Sequence, residues 1–207
     1  MTSGASEEKE TGRVEAFSDG VFAIAITLLV LELKIPHLAD GGANGSLLRA
    51  LLAQWPSYVA LVTSFFTILV MWINHHRIFR YVQRTDAPFL YANGLLLFGV
   101  TVVPFPTAVL AEYLERPGAS VAAAAYAGTF VVIALAFRML WGTATSSGRR
   151  LLRAGVSEEA IDEINRRYWL GVPGYVAALV GAFVSPFLTV GICVALLIVW
   201  VGVSRKL

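Results

Sequence analysis

The chain has 207 residues, of which 57% are hydrophobic and 14% charged, with a formal net charge of +2. Soluble domains are about 45–50% apolar and about 25% charged, and a chain of this size has too little interior to hide the excess from water, so its solvent must be lipid. The small net charge gives no basis for nucleic-acid binding, and the single cysteine, Cys193, excludes an internal disulfide and a thiolate metal site.

Residues 1–12 are small, polar and acidic. They lack the charged-then-apolar order of a signal peptide and are expected to form a short flexible cytoplasmic tail. Apolar stretches then recur along residues 21–33, 56–73, 89–110 and 121–141, and over 169–203. The last block is broken at Ser185-Pro186. It exceeds the roughly 20 residues of one span and fits two short helices joined by a tight turn. The fold class expected is therefore all-α, with six transmembrane helices over residues 13–207. Lipid leaves backbone polar groups unsatisfied in any open strand, and the segments lack the polar–apolar alternation of a barrel.

The first span is unusual. Arg13-Val-Glu-Ala-Phe17-Ser18-Asp19-Gly20 leads directly into an uninterrupted apolar run over residues 21–31. That run is only about 16 Å long at 1.5 Å per residue, roughly half a bilayer core. The helix must either be shielded from lipid or carry Ser18 and Asp19 to membrane depth, where acids face a protein interior or a water-filled cavity. Ile24, Leu28 and Leu31 are spaced i, i+4, i+7 and share one face, with Thr27 beside it. Periodicity alone favours helix–helix packing for this stripe. The other reading is a narrow axial passage in a symmetric oligomer, since apolar rings gate ions by dewetting.

The second span ends Trp72-Ile73-Asn74-His75-His76-Arg77. Neighbouring histidines point about 100° apart on a helix, and helical zinc sites prefer i, i+4 spacing, so no metal or other cofactor is expected. Trp72, His75 or His76 is expected to donate to the Ser18–Asp19 region, because a buried acid needs donors or a cation. Anchoring in lipid headgroups is the alternative. In the third span, Pro104 and Pro106 are expected to bend the helix. The Thr101-Val102-Val103-Pro104 stretch lacks the glycines of a carbonyl selectivity filter. No span is rich in arginine, which argues against a voltage sensor.

Arg149, Arg150, Arg153, Arg166 and Arg167 follow the fourth span, as Arg77, Arg80 and Arg84 follow the second. Lys9 and Arg13 precede the first span, and Arg205 and Lys206 follow the last, while the odd-numbered connections hold only Lys34, Arg49 and Arg116. By the positive-inside rule, an even span count with both termini in the cytoplasm puts all the rich segments on one side of the cell membrane. Within the long fourth connection, Ser157-Glu158-Glu159 reads as a helix start. Ile161 and Ile164 mark a short helix near the membrane surface. Gly171, Gly174 and Gly181 in the fifth span fit close helix packing. Glu32 and Lys34 are expected to form an exposed pair that contributes little, the alternative being that they set the charge at an outer mouth.

Arg13-x-x-x-Phe17-Ser18-Asp19 and the helix that follows it resemble the RxxxFSD signature of the transmembrane protein 175 family, the endosomal and lysosomal potassium channels and their bacterial relatives. Trp72-x-x-His75-His76-x-x-Phe79 is similar to that family's second-helix pattern. The resemblance implies a homo-oligomer, a tetramer for a single six-span unit, with first helices around a central pore. It implies Ile24 as the narrowest constriction, Leu28 and Leu31 as further apolar rings, and Thr27 as the residue favouring potassium over other monovalent cations. It also implies a structural network of Arg13, Phe17, Ser18 and Asp19 with Trp72, His75 and His76. The competing readings are a proton-coupled secondary transporter using Asp19 and a second-helix histidine, and a membrane enzyme. No repeated pair of broken helices supports the transporter. No nucleophile or metal cluster supports the enzyme, so a non-enzymatic role is expected.

Overall fold

The computed structural model describes residues 2–36, 44–146 and 151–204, with side chains over 10–36, 46–146 and 151–202. His37, Arg149, Arg150, Arg205 and Lys206 lie outside the described residues. The fold is all-helical, and among the described residues no strand occurs. In chain order the helices are α1 Thr2–Leu28, continued by a 3₁₀ turn Leu29–Glu32, then α2 Asn44–Ala53, α3 Trp55–Tyr81, α4 Ala87–Val102, α5 Pro104–Tyr113, α6 Ala119–Ser146, α7 Glu158–Gly181 and α8 Pro186–Ser204.

Four segments are long and apolar enough to cross a membrane: Glu10–Glu32, Trp55–Tyr81, Ala87–Tyr113 and Ala119–Ser146. Pro186–Gly202 is a shorter apolar helix. The apolar part of α7 begins at Trp169 and runs about 20 Å to Gly181 at 1.5 Å per residue.

Several local expectations meet their structural counterparts. Pro104 and Pro106 have no N–H to give to Val100 and Val102, and the helix divides there into α4 and α5. Residues 182–185 form the tight turn between α7 and α8, with Ser185 N–H closing onto the Gly181 carbonyl at 2.8 Å. The Ser157 hydroxyl caps α7 by accepting from Ala160 N–H at 3.2 Å. The added methyl of an alanine at Gly174 would fall 2.7 Å from Leu196, and Gly171 lies against Trp200, so α7 and α8 pack closely along these glycines.

Residues 2–12 are helical and form the opening turns of α1. One local expectation is corrected. The surface helix expected around Ile161 and Ile164 is no separate element. It is the start of α7, because no breaker stands between Arg166 and Trp169, and both isoleucines are buried against the core. The short helix α2, in the first connection, was not anticipated.

α6 is the central column. It packs on α4, α5, α7 and α8, and Tyr126, Phe130, Ile133, Phe137 and Leu140 recur at helical spacing along its buried side. Ser64 of α3 holds a buried polar knot with Thr107 of α5 at 2.8 Å and Tyr126 of α6 at 3.0 Å. The loops after α3 and α6 meet in an antiparallel bridge between Val82 and Leu152. Thr11 of α1 donates its hydroxyl to the Gln83 carbonyl at 2.9 Å. The start of α1 and the two arginine-rich connections therefore share one end of the molecule.

Candidate pore face and the network behind it

α1 has two sides of opposite character. Ser18, Phe22, Ala25 and Leu29 are spaced i, i+4, i+7, i+11, and all are buried at 2% exposure or less. That face packs against α3 and α4. The other side carries Ile24 at 59% exposure, Leu28 at 38% and Leu31 at 72%, with Thr27 exposed among them. Only 22% of the apolar window of α1 is buried, against 44–50% in the other three long spans, so α1 leaves more of its window than they do for lipid or another chain to cover. The α-helix stops at Leu28, and Leu31 lies in the tighter 3₁₀ turn. The Thr27 hydroxyl donates to the Ile24 carbonyl at 2.9 Å.

The buried side is pinned by side-chain hydrogen bonds to α3 and α4. Trp72 donates its indole N–H to the Asp19 carboxylate at 2.8 Å. Ser18 Oγ donates to the Val14 carbonyl at 2.8 Å and accepts from Asn93 Nδ2 at 3.0 Å. Asn93 Oδ1 lies 2.8 Å from His75 Nε2. An amide oxygen only accepts, so His75 carries its proton on Nε2. The bonds thus run in one direction, from His75 through Asn93 and Ser18 to the backbone of α1. Among the described residues His75 Nδ1 is buried without a partner, and its ring sits between Phe22 at 5.3 Å and Phe79 at 4.6 Å. His76 faces the other way. Its Nδ1 meets Glu15 at 2.9 Å on the exposed rim, and its ring stacks on Trp72 at 6.0 Å.

The antiparallel run of α1 against α3 explains this set, because Asp19 with Trp72 and Glu15 with His76 are successive rungs. The structure therefore brings Ser18, Asp19, Trp72, His75 and His76 together. It does not bring in Arg13 or Phe17. Steps of four residues from Arg13 to Phe17 and seven from Phe17 to Ile24 put both on the outward side of α1 with Ile24. Phe17 is 67% exposed. Arg13 is exposed and makes no hydrogen bond or ion pair among the described residues. Asn93 is the residue that sequence reasoning missed. A lone amide amid Leu-Tyr-Ala and Gly-Leu-Leu in an apolar span was the available signal, since such groups seek partners inside the bundle.

Residues 13–104 match the family described as endosomal/lysosomal potassium channel TMEM175. The chain is 54% identical over 194 residues to a protein of Chamaesiphon minutus named a potassium channel, covering 94% of this chain and 95% of that one. It is 52% identical over 181 residues to a Streptomyces collinus protein also named a potassium channel, covering 87% and 86% of the two. The crystal structure of a lysosomal potassium-selective channel TMEM175 homologue from Chamaesiphon minutus superposes with a TM-score of 0.86 at 51% identity, covering 95% of this chain and 99% of that one. This is a family of ion channels rather than of enzymes. The chain belongs to the TMEM175 family of membrane channels.

Proposed function

We infer that this chain is one subunit of a potassium-permeable cation channel, with its passage running between copies of α1. The outward face of α1 carries this reading. The network behind that helix fixes its rotation, so Ile24, Leu28 and Leu31 are presented away from their own subunit. Four copies around an axis would turn each residue into an apolar ring. Ile24 is then the narrowest hydrophobic constriction, and Leu28 and Leu31 are rings above it, closing the path by dewetting when it is dry. Thr27 spends its only proton on the Ile24 carbonyl, so its oxygen lone pairs remain for a cation. Selectivity built on four hydroxyls and an apolar ring is modest beside that of a carbonyl filter, so other monovalent cations pass as well.

In this reading residues 13–207 are the channel domain, led by residues 1–12. Its six spans are α1 with its 3₁₀ turn, α3, the bent α4–α5, α6, the apolar half of α7, and α8. The arginine-rich connections and the start of α1 share one end, which the positive-inside rule assigns to the cytoplasm, with both termini there. The carrier reading draws less support, because Asp19 is bonded to Trp72 while His75 is bonded to Asn93.

Cross-linking tests the axis. Cys193 is the single cysteine, so Ile24→Cys in a Cys193→Ser background presents one thiol per subunit. Under mild oxidation in liposomes it is expected to form disulfide-linked dimers and to lose potassium flux. If it stays monomeric while Val180→Cys, on the outer face of α7, cross-links efficiently, the axis lies elsewhere and the reading fails.

A further inference from the structure

Arg138 lies within the membrane-spanning helix α6, about 12 Å from its end at Ser146 at 1.5 Å per residue. Among the described residues no carboxylate pairs with it. Its guanidinium instead lies 3.8 Å from the ring centroid of Trp169 on α7, and that tryptophan is 62% exposed. Stacking uses the face of a guanidinium and leaves its edge, a planar fork of N–H donors, without acceptors. A span-embedded cation is costly unless an anion meets it, and the surrounding surface is apolar: Leu135 and Met139 on α6 and Leu170 on α7 are all exposed.

From Trp169 towards the chain's arginine-rich end, one side of α7 carries a ladder of charge. Arg166, Asp162 and Glu159 follow at steps of three, four and three residues, and with Trp169 they line an open hollow of about 650 Å³. Arg166 and Asp162 make no ion pair among the described residues, in contrast to the adjacent Arg167, which pairs with Glu163. The order outward from the apolar surface is therefore cation, cation, anion, anion.

We propose that this hollow on α7, together with Arg138 stacked on its Trp169 end, binds the headgroup of a phosphoethanolamine phospholipid, with the phosphate on Arg138 and Arg166 and the ammonium on Asp162 and Glu159. The acyl chains then lie along Leu135, Met139 and Leu170, and Trp169 sits at the headgroup boundary, where tryptophan is enriched. A purely anionic headgroup would match the inner two charges and be repelled by the outer two. A choline headgroup carries the cation but has no N–H to donate to the carboxylates. The site depends on membrane embedding and not on where the ion path runs.

The test is lipid retention. The intact protein is reconstituted in nanodiscs of equal parts phosphatidylethanolamine, phosphatidylcholine and phosphatidylglycerol, extracted, and its bound lipids are counted by native mass spectrometry. Phosphatidylethanolamine is expected to be enriched about fivefold over each competitor, the ratio a partly screened ion pair supports. Asp162→Asn with Glu159→Gln removes the advantage over phosphatidylcholine and leaves total retention nearly unchanged. Arg138→Gln lowers retention of all three lipids. Equal retention by the wild type, a preference for phosphatidylglycerol, or an ethanolamine preference that survives the carboxylate variants overturns the proposal. If Arg138→Gln aggregates, Arg166→Gln and the carboxylate pair, all at exposed side chains, decide the question alone.

Discussion

The indole N–H of Trp72 meets the carboxylate of Asp19 at 2.8 Å, tying the latter part of α3 to the middle of α1. Asp19 stands one position beyond the buried Ser18, at the edge between the two sides of α1. A bond at that edge resists rotation of the helix about its own axis. Which residues α1 turns outward thus follows from a polar contact on its inner side.

Trp72→Phe keeps the aromatic bulk and removes the donor. A hydrogen bond to a charged group contributes about 1.5–3 kcal/mol, so the variant is expected to lose stability on that order in detergent, with assembly weakened in parallel. Asp19→Asn retains an acceptor oxygen and is expected to cost less. Denaturation followed by size-exclusion chromatography checks both, and a larger loss for Asp19→Asn would contradict the assignment.

Asn93→Leu strands the buried Nε2 proton of His75 and takes from Ser18 Oγ the donor it accepts from, leaving that hydroxyl only its bond to the Val14 carbonyl. A buried polar group left unpaired costs about 1–3 kcal/mol. Adding Ser18→Ala removes the hydroxyl that lost its donor, so the double variant is expected to be more stable than Asn93→Leu alone. That non-additivity, measured as a double-mutant cycle, identifies direct contact; strict additivity would deny it.

Ile24→Asn places an amide where the reading above puts the driest point. If it lowers the wetting barrier by about 1.4 kcal/mol, flux rises about tenfold. Leu28→Ala acts in the same direction by widening the next ring. Potassium flux from loaded liposomes measures both against Phe98→Ala, a change at an exposed residue on α4 expected to leave flux unaltered. Unchanged flux in both α1 variants, with assembly intact, counts against the constriction.

Gly99 on α4 faces α6 so closely that an added Cβ would fall 2.8 Å from Ile133 Cγ1. Ile133 is β-branched and fully buried, so it has little room to move. Gly99→Ala is expected to cost about 1–3 kcal/mol through overpacking. Gly94, on the same helix, has open space at the Cβ position, and Gly94→Ala is expected to gain about 0.5–1 kcal/mol from helix propensity. Thermal unfolding in matched detergent separates the two signs.

The sequence by itself determined the helical class, the apolar segments, the break at Ser185-Pro186, the bend at Pro104 and Pro106, and the Ser157 cap. These follow from hydropathy and from backbone chemistry that acts within a few residues. It also carried the Arg13–Asp19 signature and the expectation that Trp72, His75 or His76 donates to the Ser18–Asp19 region. Tertiary structure alone decided which side of α1 is held and which is presented, because the partners of Ser18 and Asp19 lie 75 and 53 positions away in the chain. It placed Asn93 between Ser18 and His75, separated His75 from His76, and moved Arg13 and Phe17 to the outward side. Spacing gives the angle between residues on one helix, but only packing against a second helix turns that angle into inside and outside.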